Sequence, residues 1–134
     1  MLEAIVEHIY RAKPGQIFEA LASGRVLSLT GAVSVDFSDG VFELNFPDRG
    51  AIRGRVLNLD QNHRLELEWN VSGFGRDSES TLVEFTVEAV SETQTKLRVH
   101  HTRIPTEASA SAKSQAWQSI FRNLESHASD SRFF

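Results

Sequence analysis

The chain contains no cysteine. Disulfides, thiolate nucleophiles and Cys-ligated zinc are therefore excluded, and nothing points to an oxidising compartment. Proline is scarce, with 3 in 134 residues. No apolar run approaches the roughly 20 residues that a bilayer-spanning helix needs. An excess of basic charge is missing too: 14 Lys and Arg stand against 18 Asp and Glu, for a net charge of -4. That balance disfavours nucleic acid or an anionic membrane as the main partner. Met1 to Arg11 carries Glu3 and Glu7 and no basic stretch, unlike a signal peptide, so a cytoplasmic location is expected. There is no internal repeat, and the Ala/Ser alternation at Ala108 to Ala112 is short. The histidines show no metal-ligand spacing: His8, His63 and His127 are scattered, and His100 and His101 point to opposite faces of a regular strand. No metal, cofactor or catalytic constellation is expected.

What is present is enough for one domain, residues 1–134, with a substantial core. The hydrophobic fraction is 40% and the charged fraction 24%, ordinary values for a soluble globular protein. The last stretch, Glu107 to about Ala128, has helical periodicity, with Trp117, Ile120, Phe121, Leu124 and Ala128 on one face. Ala110 and Ser114 extend that face upstream, and Gln118, Arg122, Asn123 and Glu125 occupy the opposite one. Thr106 suits the N-cap, and Glu107 places negative charge in the first turn.

Most of the remainder has period two. A first strand spans Glu3 to Arg11, followed by a short helix opened by Pro14 and carrying Ile17, Phe18 and Leu21. Arg25 to Leu29 fits either a further helical turn or a loop. Alternation then resumes at Val33, Val35 and Phe37, at Phe42, Leu44 and Phe46, and at Ile52, Gly54 and Val56. It continues at Leu65, Leu67 and Trp69, at Val83, Phe85 and Val87, and at Leu97, Val99 and His101. Ser38-Asp39-Gly40, Pro47-Asp48-Arg49-Gly50, Asp60-Gln61-Asn62 and Ser91 to Gln94 read as turns, and Ser72 to Ser80 as a longer polar loop. Short connections imply an antiparallel meander. Strands with one apolar face, facing one long amphipathic helix, make a two-layer α+β domain. Such a sheet twists and encloses space beneath the helix.

The ordered set of motifs resembles a known family. Gly54-Arg55-Val56-Leu57-Asn58-Leu59-Asp60 followed by Arg64-Leu65-Glu66-Leu67-Glu68-Trp69 looks like its G-x-V-L-x-x-D and R-L-x-x-x-W hairpin. Ser80 to Phe85 and Thr95 to Thr102 resemble its S-T-V-T-x-x and T-x-L-x-L-x-H-T strands. Pro14 to Leu21 is similar to its first helix, and Ala116-Trp117 to the G-W of its last. The family is the START-like, or SRPBCC, superfamily, and within it the group similar to the C-terminal domain of the activator of heat shock protein 90 ATPase. The resemblance implies a helix-grip fold, as in the birch pollen allergen: a curved antiparallel sheet of six to seven strands wrapped around a long C-terminal helix. Two departures are visible. Ser23 to Gly31 is short and lacks the family's Trp-rich segment, and Arg103 stands where a Gly often follows the His-Thr pair.

The inward faces give a candidate lining of Val35, Phe42, Leu44, Leu67, Trp69, Phe85, Val87, Val99, His101, Trp117, Ile120 and Phe121. Such a set forms either a pocket for an apolar or aromatic small molecule or a filled core. Small residues at Ala108 to Ala112 leave volume over the sheet, or simply favour helix and close packing. His101 points inward, where it either orients a ligand and exchanges protons or is a hydrogen-bonded core histidine. Glu66, Glu68, Glu84 and Glu88, with Arg53, Arg55, Lys96 and Arg98, read as a solvated sheet face with cross-strand pairs. Phe74, between Gly73 and Gly75, is expected at an exposed loop tip, over a cavity mouth or against a partner. The expected function is small-molecule binding without covalent chemistry. The resemblance implies two alternatives: a chaperone-associated interaction protein, or a cyclase- or hydrolase-type enzyme using His101 in the same cavity. Phe133 and Phe134 form an apolar end that either packs on a dimer mate or is disordered.

Overall fold

The computed structural model describes residues 2–32, 34–38 and 40–128, and side chains throughout these except in 34–38 and 125–128. The expectations for Val33, Asp39, Phe133 and Phe134, and for the side chains of Val35, Phe37 and Ala128, lie outside the described residues. The elements run β1 (Leu2–Tyr10), α1 (Pro14–Ala22), α2 (Arg25–Ser28), β2 (Ser34–Ser38), β3 (Val41–Phe46), β4 (Gly50–Asp60), β5 (Arg64–Gly73), β6 (Glu79–Ala89), β7 (Thr95–Ile104) and α3 (Glu107–Ala128). All seven strands belong to one sheet in the order β1-β7-β6-β5-β4-β3-β2, and every neighbouring pair is antiparallel. This is the helix-grip arrangement that the family resemblance implied, and the two-layer α+β domain expected from the residue pattern.

Local chemistry explains the boundaries. Pro14 opens α1, and the Gln16 side chain accepts from the Lys13 amide at 2.9 Å, satisfying a donor the helix itself cannot use. Thr106 caps α3 as expected: its Oγ1 accepts from the Ser109 amide at 3.1 Å. The Arg25–Ser28 segment resolves as a single helical turn. The polar loop is shorter than its composition suggests, because β5 extends to Gly73 and β6 begins at Glu79. Strand pairing recruits polar residues that carry no apolar alternation of their own.

One face of the sheet is dry. Phe42, Leu44, Leu65, Leu67, Val83, Phe85, Leu97 and Val99 are each at most 1% exposed. Against them lie Ile17, Phe18 and Leu21 of α1 and Trp117, Phe121 and Leu124 of α3. The Tyr10 hydroxyl donates to the Phe121 carbonyl at 2.8 Å, tying the first strand to the last helix. The other face is wet and charged. Arg53 pairs with Glu43, Arg55 with Glu68, Arg64 with Glu84 and Glu66, and Lys96 with Glu7 and Glu88. These are the cross-strand pairs expected of a solvated face, each contributing little by itself.

One correction concerns the buried stripe of α3. Its upstream part is formed by Ser109 and Lys113, both buried, whereas Ala110 and Ser114 are half-buried. Either pair satisfies helical spacing from Trp117. Burial of an ammonium is tolerated only because β6 supplies a carboxylate opposite it.

Candidate functional site

His101 lies on β7 in phase with Leu97 and Val99 and is fully buried. Both its ring nitrogens are engaged. The Trp117 indole N–H donates to Nδ1 at 3.1 Å, so Nδ1 carries a lone pair. The proton of the neutral ring then sits on Nε2 and is donated to Thr81 Oγ1 at 2.7 Å. Thr81 in turn donates to the Trp69 carbonyl at 2.9 Å. The relay runs from α3 through β7 and β6 to β5, with every donor matched. Burial, followed by the nearby Lys113 charge, pushes the His101 pKa from 6.5 to about 3, and Glu79 only partly opposes this. The imidazole is therefore neutral at physiological pH. It has no free proton or lone pair to offer a substrate without breaking this relay.

A second buried polar group lies beside it. Lys113 Nζ donates to Glu79 Oε1 at 2.6 Å and to Ser109 Oγ at 2.8 Å, and Ser109 Oγ donates to the same carboxylate at 3.1 Å. The two charged side chains are 9% and 5% exposed. Burial pushes both toward neutrality. At Glu79 the hydrogen bonds from Lys113 and Ser109 outweigh burial, and its carboxyl stays below the usual carboxylate range. At Lys113 burial outweighs the Glu79 contact, and the ammonium pKa is lowered.

His101 and Lys113 form part of the wall of a cavity of about 610 Å³, with Thr81, Glu79 and Ser109 behind them. Its floor is Trp69 and Val71 of β5 with His101 of β7. Its helical wall is Ala112, Lys113, Ala116, Trp117 and Ile120, and Phe46 and Ile52 close the far side. The helix packs on β1 and β7, so space remains between it and β3–β5. Trp69 and Trp117 meet at a centroid distance of 5.4 Å at this floor.

The mouth joins the β3–β4 turn to the β5–β6 loop. The Phe74 amide donates to the Arg49 carbonyl at 2.6 Å, and the Phe74 ring meets Phe46 edge-on at 5.2 Å. Phe74 is thus half-buried over the mouth, not an exposed loop tip. Gly73, Phe74 and Gly75 all have positive φ, at 87°, 59° and 70°. A phenylalanine in this region is strained and persists only where its surroundings hold it. Gly50 makes the approach possible, since a Cβ there would lie 2.3 Å from the Ser72 carbonyl oxygen and 2.7 Å from the Phe74 ring.

The structure distributes the expected lining unevenly. Trp69, His101, Trp117 and Ile120 border the cavity. Phe42, Leu44, Leu67, Phe85, Val87, Val99 and Phe121 are buried in the packed core next to it. The site also includes residues that periodicity did not select: Glu79, Lys113 and Ser109, and Asp48, Arg49 and Arg76 at the mouth. A signal for the first three exists. Glu79 is in phase with Thr81 and Val83, and Ser109 and Lys113 precede Trp117 by whole multiples of four. Among the described residues, no group of three His, Asp or Glu side chains is placed to hold a metal ion. No helix among them is long and apolar enough to cross a membrane.

No curated protein matches the sequence. Among solved structures the fold is similar to the protein MLL2253 from Mesorhizobium loti, with a TM-score of 0.78 and 20% identity over 93% of this chain and 95% of that one. It is similar to PFC0360w, an HSP90 activator from Plasmodium falciparum, with a TM-score of 0.75 and 20% identity over 94% and 95% of the two chains. It is also similar to Aha1 from Colwellia psychrerythraea, solved as a dimer, with a TM-score of 0.74 and 20% identity over 96% of each. The family described as Activator of Hsp90 ATPase homolog 1-like protein matches residues 11–129, and the chain belongs to it.

Proposed function

We propose that the chain is a cytoplasmic binding module that takes an apolar or aromatic small molecule into the cavity between sheet and α3. The observation supporting this is a cavity of about 610 Å³ that opens directly onto Trp69 and Trp117. Its volume lies in the roughly 300–1,000 Å³ range usual for small-molecule sites, and its lining combines an aromatic floor with charged groups at the mouth. Ala112 and Ala116 face this volume with side chains too short to fill it. The polar atoms of the floor are already paired with one another, so the floor offers an occupant ring faces and edges. Such a site binds and orients, and requires no covalent step.

The chain has 2 tryptophans and both border the cavity, so their indole N–H signals report on occupancy. Titration of the ¹⁵N-labelled protein with 2-naphthylethanol is expected to shift both signals saturably. Ala116→Phe, which fills the helical wall, is expected to abolish the shift while leaving the fold intact. No saturable shift in the unmodified protein with this alcohol or with its carboxylate and ammonium analogues would overturn the reading.

A protein partner is the second reading, favoured by family membership and by likeness to an HSP90 activator and to a dimeric Aha1. The partner to test is an Hsp90-type ATPase or a second copy of this chain. Stimulated ATP hydrolysis in the first case, or a dimer mass by sedimentation in the second, supports it. An inert monomer in both assays removes it.

A further inference from the structure

Resting on the cavity reading, we propose that the ligand is a monoanion: an aromatic or aliphatic carboxylate whose acid group is held by Arg49 and Arg76 at the mouth, with its apolar body against Trp69 and Trp117. Two independent features of the charge distribution lead there. On the outer sheet face, Arg53, Arg55, Arg64 and Lys96 all have carboxylates within ion-pair range. Arg49 and Arg76, which border the cavity, form no direct ion pair among the described residues, although Arg76 is near enough to Glu79 to help hold its carboxyl below the usual range. The Arg49 guanidinium instead lies 5.6 Å from the Phe74 ring centroid, which positions it at the mouth with its donors available.

The second feature is Lys113. An ammonium has three N–H donors. Glu79 and Ser109 take two of them, and the side chain borders the cavity. A donor on the inner wall is therefore left for an acceptor that enters from the mouth. The signs also limit the ligand. Lys113 is offset by Glu79 behind the wall, and Asp48 stands against Arg49 and Arg76 at the mouth, which leaves one positive charge in surplus. One carboxylate neutralises that surplus, whereas a phosphate dianion would overfill it. A planar carboxylate also matches the fork of an arginine side chain, so it can exchange water for two parallel hydrogen bonds.

The test uses the full chain and three probes with the same aromatic body: 2-naphthylacetate, 2-naphthylethanol and 2-naphthylethylammonium, titrated calorimetrically at low salt. The acetate is expected to bind about tenfold more tightly than the alcohol, the scale of one charge-assisted hydrogen bond, and the ammonium more weakly than either. The paired substitution Arg49→Gln and Arg76→Gln is expected to erase most of the acetate-to-alcohol ratio. Acetate binding no better than the alcohol, or more weakly than the ammonium, overturns the anion proposal and leaves the cavity reading standing. A preference that survives the paired substitution overturns the assignment to the mouth arginines. Failure of all three probes to bind overturns the cavity reading together with this one.

Discussion

His101 donates to Thr81 and accepts from Trp117, so protonating it means breaking the Trp117 bond inside the core. Above pH 6.5 the ring is neutral in both folded and unfolded chains. Below 6.5 the unfolded chain gains a proton that the folded chain refuses until about pH 3, so this residue lowers stability as pH falls through that window. The loss approaches about 1.4 kcal/mol per pH unit. Urea unfolding at pH 7 and pH 5 is expected to show a smaller difference in His101→Gln than in the unmodified protein, and equal differences would refute the account. A second residue departs from what its side chain prefers. Arg103 has a φ of 63° within the bulge where β7 gains a residue on β1. The left-handed region costs a residue with a Cβ about 1–2 kcal/mol, partly offset by the extra freedom glycine has when unfolded. Arg103→Gly is therefore expected to raise the unfolding free energy by up to about 1 kcal/mol, and with it the thermal midpoint, and Arg103→Val to lower both, as read by thermal denaturation. The inward direction of His101 was legible from alternation alone. Its partners were not, because Thr81 and Trp117 reach it from other elements.

At the scale of elements, α3 shows how far periodicity reaches. Trp117, Ile120, Phe121 and Leu124 are spaced so that their burial follows from the helix itself. Lys113 falls on the same stripe but is charged, and only β6, which brings Glu79 opposite, makes its burial tolerable. Lys113→Met alone leaves an uncompensated carboxylate in the core and is expected to cost about 3–5 kcal/mol. Adding Glu79→Gln is expected to restore most of that loss, and a double variant no more stable than the single would disprove the pairing argument. The junction of β3–β4 with β5–β6 depends likewise on a close approach. Gly50→Ala forces a Cβ against the Ser72 carbonyl and the Phe74 ring, at an expected cost of about 1–3 kcal/mol in chemical denaturation. The turn itself was legible in Pro47-Asp48-Arg49-Gly50. The fact that Phe74 folds back onto it was not, since nothing in the local residues says which distant turn a loop will meet.

In the whole molecule, stability is distributed unevenly. β5, β6 and β7 are interior strands covered by α1 and α3, whereas β2 is a five-residue edge strand that pairs only with β3. Amide exchange is expected to show β2 opening well below the global unfolding free energy, with β5–β7 close to it. Uniform protection across the sheet would contradict this. The antiparallel meander from β2 to β7, the final helix and the charged outer face were determined by sequence, because period two, period 3.6 and turn chemistry act between near neighbours, whereas the place of β1 beside β7 depends on pairing across the length of the chain. The twelve candidate lining residues were chosen by the same local rule, which separates inward from outward but cannot divide inward positions between packed core and cavity wall. That division depends on where α3 lies over β3–β5, which side chains are short where it stands off, and which charges meet across tens of residues of chain. The cavity, the His101 relay, the Lys113–Glu79 pair and the mouth arginines, which form no ion pair among the described residues, were therefore decided only by tertiary structure. Each depends on contacts between residues far apart in the chain, and no periodicity within one segment encodes the distance between two segments.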